Sequence, residues 1–230
     1  MKNIVAIIPA RGGSKGIKKK NLINFCEKPL VVWSIEQALK AKRVSSVWVS
    51  SDLKEIQNVA IKSNARIIKR PKSLSTDTSA TEETWLHALK IIEAKVGTVD
   101  LVVGLQPTSP LRESTDIDNA IKKFQITKCD SLFSGSDIGD FYIWQKRKKR
   151  IDSLNYDYKN RSRRQDFSKQ YVENGSIYLF KHELLKKHHN RLSGKIEVSL
   201  MDFWKSFEID DYDDIELCET LMKHYILKRS

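Results

Sequence analysis

Apolar residues along this chain gather in short continuous runs that alternate with stretches of helical spacing. Ile4 to Ile8, Val47 to Ser50 and Val99 to Leu105 are nearly uninterrupted, the pattern of strands buried on both faces of a parallel sheet. Arg66 to Lys69 and Ser131 to Ser134 predict two shorter strands. Leu30 to Lys40, Leu53 to Ser63, about Ser79 to Ala94, and Asp116 to Phe124 predict helices. A last helix places Ile215, Cys218, Leu221, Met222 and Tyr225 on one stripe. Strands that alternate with helices imply βαβ units, hence a mixed, mostly parallel sheet in a three-layer, Rossmann-like α/β domain covering residues 1–230. Such sheets bind ligands beyond the carboxyl ends of their strands. From about 136 to 171 the periodicity fades and Lys, Arg, Tyr and Asp accumulate. That stretch is too long for a simple connection, and reads as an inserted arm, a lid or an interface element.

The first strand runs into Ala10-Arg11-Gly12-Gly13-Ser14-Lys15-Gly16 and then Lys18-Lys19-Lys20-Asn21-Leu22. Glycines let backbone N–H groups approach an anion and tolerate positive φ. Arg11, Lys15 and Lys20 add charge suited to phosphate oxygens. The loop matches neither the P-loop nor the dinucleotide-binding glycine pattern, so it is a phosphate cradle of another kind or a turn with solvated lysines. Ser79 with Glu82 predicts a capping box on the helix that follows. Two prolines, Pro107 and Pro110, stop the central strand sharply. Late in the chain, Glu208 and Asp210 stand two apart in an extended segment, so their carboxylates share a face while Ile209 points into the core. Two carboxylates beside a triphosphate suit Mg²⁺. Asp213 with Glu216 predicts the start of the last helix, leaving Asp211 and Asp214 solvated.

The formal charge of +12 admits nucleic acid, an anionic membrane surface or polyanionic small substrates as partners. Much of it is local, in Lys18 to Lys20, Lys146 to Arg150, and Arg161, Arg163 and Arg164. No aromatic-interleaved RNA signature or zinc knuckle accompanies these clusters. No apolar run approaches the roughly 20 residues of a membrane span, and no signal peptide is evident, so a cytoplasmic location is expected. Three separated cysteines read as reduced thiols. No histidine stands in a nucleophile constellation.

The motifs carry a resemblance. Arg11-x-x-Ser14-Lys15-Gly16 followed by Lys20-Asn21-Leu22 resembles the opening signature of the cytidylyltransferases that activate nonulosonic (sialic-type) acids with CTP. Leu105-Gln106-Pro107-Thr108-Ser109-Pro110-Leu111-Arg112 is similar to the string after that family's central strand, and Glu173-Asn174-Gly175-Ser176-Ile177-Tyr178 and Glu208-Ile209-Asp210 resemble two further landmarks. The resemblance implies a nucleotidyltransferase that moves CMP from CTP to an acidic keto sugar for surface polysaccharide synthesis. It implies Arg11, Lys20 and Asp210 as catalytic residues, and Gly12, Gly13, Ser14, Lys15, Asn21, Arg70, Asp77 and Thr81 with the nucleotide. Gln106, Arg164, Asn174 and Tyr178 would hold the sugar, Arg112 the local structure or nucleotide, and Glu208 with Asp210 a Mg²⁺ ion. A homodimer built through 136–171 is implied, with neither nucleic acid nor membrane as partner. The chain departs from the family twice: Asp140 to Trp144 replace a His-Pro-Lys segment, and Val172 stands where some sialic-acid enzymes have arginine. The second change points to a sugar other than N-acetylneuraminate, such as a diamino-dideoxy relative. The alternatives are an eight-carbon (Kdo-type) substrate, a non-catalytic nucleotide sensor, and, in a different class, a basic nucleic-acid-binding protein.

Overall fold

The computed structural model describes residues 2–76, 78–161, 163 and 168–229. In chain order its elements are β1 (Ile4–Pro9), β2 (Asn24–Phe25), β3 (Lys28–Pro29), α1 (Leu30–Lys40), β4 (Ser46–Ser51), α2 (Lys54–Lys62) and β5 (Arg66–Lys69). Then come α3 (Thr81–Val96), β6 (Leu101–Leu105), α4 (Ser114–Thr127), β7 (Ser131–Asp137), β8 (Trp144–Arg147) and β9 (Arg150–Ser153). The chain closes with β10 (Tyr171–Phe180), α5 (His182–His188), β11 (Ile196–Leu200) and α6 (Tyr212–Leu221). Seven strands form the main sheet in the order β11-β7-β10-β6-β1-β4-β5. β10 pairs antiparallel with both β6 and β7, and every other pair is parallel. The carboxyl ends of β1, β4, β5 and β6 therefore share one edge, and the start of β10 reaches the same edge from the opposite direction.

β1 shows why the uninterrupted apolar run was needed. Ile4, Ala6 and Ile8 pack with α1, α2 and α4 on one face, while Val5 and Ile7 pack with α3 and Leu185 of α5 on the other. This makes the three layers. A third cluster joins Ile17, Phe25, Leu30, Trp33 and Leu111 to Ile209, Cys218 and Met222. It ties the segment after the glycine loop to the C-terminal helix, two parts of the chain nearly 200 residues apart in sequence.

β8 and β9 form a separate two-stranded hairpin inside the 136–171 segment, with Lys148 at positive φ in its turn. The segment is thus an arm, and the five consecutive cations from Lys146 to Arg150 are exposed at its tip. The three cysteines are free and buried. Burial pushes the Cys26 thiol up to about 11 and the Cys218 thiol up to about 12, so neither forms thiolate readily. Among the described residues, no helix is long and apolar enough to cross a membrane.

Candidate active site

Beyond the shared carboxyl edge lies a cavity of about 280 Å³. The glycine loop supplies Arg11, Gly13, Ser14, Lys20 and Asn21 to its wall, and Arg70 closes the side below β5. Thr81 and Thr84 enter from the start of α3, and Gln106, Pro107 and Thr108 from the end of β6. The loops beyond β1, β5 and β6 and the start of α3 thus deliver a cationic wall and a hydroxyl-rich wall to one space.

The loop glycines are not there for positive φ. None of Gly12, Gly13 and Gly16 has positive φ; the left-handed residue is Lys19, at φ 52°. What Gly12 and Gly16 provide is room. A Cβ on Gly12 would sit 2.8 Å from Leu53 Cβ, and one on Gly16 would sit 2.4 Å from the Asp210 carbonyl oxygen. The Gly12 N–H is already committed, donating to Asp52 Oδ1 at 2.9 Å. The loop is further held by Asn21 Nδ2 donating to the Arg11 carbonyl (2.9 Å) and Arg11 Nη1 donating to the Thr76 carbonyl (2.9 Å).

Lys20 is the junction. Its ammonium is mostly buried, and donates to the Ile209 carbonyl and to Asp210 Oδ1, both at 2.8 Å. Ile209 N–H in turn donates to the Thr108 carbonyl at 2.8 Å, and Ile209 itself is fully buried. The acidic couplet lies outside the sheet, yet these bonds pin it between the glycine loop and the Gln106–Arg112 turn. Asp210 keeps 78% of its side chain exposed, whereas Glu208 is half-buried beside Ser109 Oγ (3.3 Å) and Thr108 Oγ1 (3.5 Å). Burial, and then the negative charge of Asp210, hold the Glu208 carboxyl above its ordinary value. A cation would relieve that repulsion, and the hard oxygen donors suit magnesium. Among the described residues no cluster of three or more His, Cys, Asp or Glu side chains forms a metal cage, so any ion here would need ligand oxygens to complete its shell.

Arg70 donates to Ser50 Oγ (3.2 Å) and to the Ser50 carbonyl (2.6 Å). Burial brings it down to about 10, with nearby Asp52 opposing the fall and Arg11 adding to it. It remains a cation at neutral pH. Arg112 is fully buried and serves the local structure: it donates to the Ser109, Ser176 and Gln106 carbonyls and to the Ser34 and Ser176 hydroxyls. This staples the proline turn to β10 and α1.

The other expected residues fall in different places. Gly12 and Lys15 do not line the cavity wall. The Asn174 side chain is buried, accepting from Ser134 Oγ (2.6 Å) and the Ser176 N–H (3.2 Å), and so holds the bend in β10. Tyr178 is buried against Trp85 on the α3 face, its hydroxyl donating to Glu173. Gln106 lines the cavity, with Nε2 donating to the Gly175 carbonyl at 2.8 Å. Asp77 and Arg164 lie outside the described residues.

Two caps differ from expectation. α3 begins at Thr81 with Ala80 at its N-cap, because Ser79 Oγ is engaged with Thr76 and the Ser73 carbonyl inside the preceding loop. α6 begins with a capping box between Asp211 and Asp214, two residues earlier than the expected Asp213 and Glu216, so neither Asp211 nor Asp214 is merely solvated. Ser79, Thr76 and Thr108 were not expected in the cavity, and Ser109 was not expected beside Glu208. Only their positions at loop ends beyond strands signalled them.

An anion-adapted cleft at the carboxyl edge of a doubly covered parallel sheet places the chain among nucleotide-handling α/β folds. Comparison with known proteins makes this specific. Residues 5–228 match the cytidylyltransferase family, and the chain belongs to it. It is 34% identical over 234 residues to an N-acylneuraminate cytidylyltransferase of Escherichia coli, covering 96% of this chain and 52% of that protein. It is 34% identical over 190 residues to N-acylneuraminate cytidylyltransferase A of Danio rerio, covering 81% and 43%. A pseudaminic acid cytidylyltransferase of Campylobacter jejuni is 35% identical over 185 residues, covering 77% of this chain and 78% of that one. The chain thus spans about half the length of the N-acylneuraminate relatives. In fold it resembles a CMP:2-keto-3-deoxy-manno-octonic acid synthetase complexed with CTP (TM-score 0.73, 16% identity, 97% and 100% coverage). It also resembles a 4-diphosphocytidyl-2C-methyl-D-erythritol synthase (TM-score 0.72, 12% identity, 96% and 99% coverage).

Proposed function

We propose that this chain transfers CMP from CTP to the anomeric hydroxyl of a nonulosonic acid, releasing pyrophosphate. The observation that carries the reading is Lys20, which lines the cavity while bonding the Ile209 carbonyl and Asp210. Lys20 thereby links the cationic loop that lines the cavity to the acidic couplet, which supports a site for a triphosphate with a divalent ion. The names of relatives such as the N-acylneuraminate and pseudaminic acid enzymes support the substrate class.

In this reading Arg11, Lys20 and the Gly13–Ser14 backbone bind the triphosphate and offset charge on the departing pyrophosphate. Asn21, Arg70 and Thr81 hold the cytidine end. Gln106 orients the keto acid so that its anomeric oxygen stands in line with the α-phosphorus, and much of the rate gain comes from this positioning. Glu208 and Asp210 would hold Mg²⁺, which when bound supplies charge neutralisation at phosphate oxygens. A cytoplasmic location and a homodimer belong to the same reading. The dimer is supported by the arm and its neighbourhood, where Phe141, Trp144, Tyr158 and Phe203 are exposed. The test is pyrophosphate release with each of four nucleoside triphosphates against a panel of keto acids. The expected result is release with CTP and a nine-carbon acid; indifference to CTP across the panel contradicts the reading.

A further inference from the structure

The peptide unit between Arg11 and Gly12 is gripped at both ends. Its carbonyl accepts from Asn21 Nδ2 and its N–H donates to Asp52 Oδ1, each at 2.9 Å. A peptide is planar, so these two bonds fix the whole plane. The backbone would not fix it unaided. Leu53 leaves no room for a Cβ at position 12, and the glycine this requires accepts either sign of φ. Backbone preference alone thus permits the plane to flip. A flip, however, would turn the carbonyl oxygen onto the Asp52 carboxylate and the N–H onto the Asn21 amide nitrogen, setting like against like at both ends.

Asp52 is placed to do this without meeting a ligand. It is the first residue beyond β4, half-buried, and stands outside the cavity wall, where a carboxylate would repel a polyanion. The groups on either side of the gripped peptide do line the cavity: Arg11, whose guanidinium is anchored on the Thr76 carbonyl at 2.9 Å, and Gly13 followed by Ser14. The direction in which the chain leaves the plane sets where those groups point. A rival role exists for the same carboxylate, because its charge also opposes the fall that burial imposes on Arg70. The two roles differ in what they need: the first an acceptor oxygen, the second a negative charge.

We infer that Asp52 is a positioning residue for the triphosphate: by holding the Gly12 N–H it locks the loop peptide that aims Arg11 and the Gly13–Ser14 backbone at the phosphates. This rests on the reading of the cavity as a site for CTP. The test is calorimetric titration of the full chain with CTP and with inorganic tripolyphosphate, in the parent, Asp52→Ala and Asp52→Asn, beside the KM for the keto acid. Asp52→Ala should weaken CTP and tripolyphosphate alike, about 10- to 100-fold, the range for a hydrogen bond to a charged group, and leave the keto-acid KM unchanged. Asp52→Asn keeps an acceptor oxygen for the Gly12 N–H, and should return both affinities to within about fivefold of the parent. Unchanged tripolyphosphate affinity in Asp52→Ala overturns the assignment, and so does an equal rise in the keto-acid KM. A loss in Asp52→Asn as large as that in Asp52→Ala also overturns it, in favour of the charge beside Arg70. A parent that binds CTP and tripolyphosphate yet turns over no keto acid overturns the proposed reaction and leaves the role of Asp52 standing. A parent that binds neither overturns both.

Discussion

Lys20 Nζ lies 2.8 Å from Asp210 Oδ1, joining residues 190 positions apart. With Asp210 largely solvated, the pair is worth only about 0.2–1 kcal/mol to stability. Its weight falls on function. Asp210→Asn and Lys20→Met should each unfold within a few degrees of the parent, yet lose turnover by roughly 10²–10³-fold, the usual cost of removing a charge-stabilising group. Thermal denaturation alongside pyrophosphate release separates the two effects; unchanged turnover in Asp210→Asn removes the couplet from the chemistry.

Gly16 is a packing requirement. Because its Cβ would meet the Asp210 carbonyl oxygen at 2.4 Å, Gly16→Ala must push the loop and the couplet apart. Overpacking of this kind costs about 1–3 kcal/mol. The expected outcome is a lowered midpoint in denaturant together with weakened CTP binding, whereas Gly13→Ala, with nothing within 4 Å of its Cβ, should leave stability close to the parent. Equal stability in both variants refutes the close approach.

Lys205 anchors the segment that leads to Glu208. It is buried, and donates to Glu113 Oε2 (2.8 Å) and Asp116 Oδ2 (2.7 Å) at the start of α4. Burial alone would lower its ammonium, but the Asp116 and Glu113 carboxylates outweigh it and hold the group above its ordinary 10.5. A raised folded value means the contribution is fully present below the unfolded value and is lost as pH rises through the folded one. Lys205→Met should therefore cost about 3 kcal/mol at neutral pH, at the low end for a broken buried pair because Glu113 is partly solvated. Unfolding curves measured from pH 7 to about 12 should show the gap closing above 10.5. A constant gap would assign Lys205 to packing alone.

Phe141 and Phe203 stack at 5.7 Å between ring centroids although both are exposed, beside Phe207 at 6.2 Å from Phe203. An exposed aromatic group of this size is expected to be covered by a second copy. Phe141→Glu with Phe203→Glu should shift the protein from dimer to monomer in sedimentation; a wild-type monomer at micromolar concentration contradicts the proposed dimer.

Much of the scaffold was legible because strand and helix periods differ. Ile4 to Ile8 is buried on both faces, and the cationic loop follows it as the pattern required. What escaped depended on contacts distant in sequence. Asp211 outcompetes Asp213 as a cap because Ile209 is pinned by Thr108 and Lys20, which sets where α6 can begin. Asn174 reads as a polar group near a ligand, yet its amide is buried against Ser134 and Met201. β11 gave no sequence signal beyond a short mixed run, since it pairs on one side only, with β7.

The most direct measurement is calorimetric titration of CTP, with and without Mg²⁺, into the parent and Asp210→Asn. If the glycine loop and the acidic couplet close on a single triphosphate, Mg²⁺ should tighten CTP binding at least tenfold in the parent and have little effect in the variant. Equal enhancement in both proteins would contradict that arrangement.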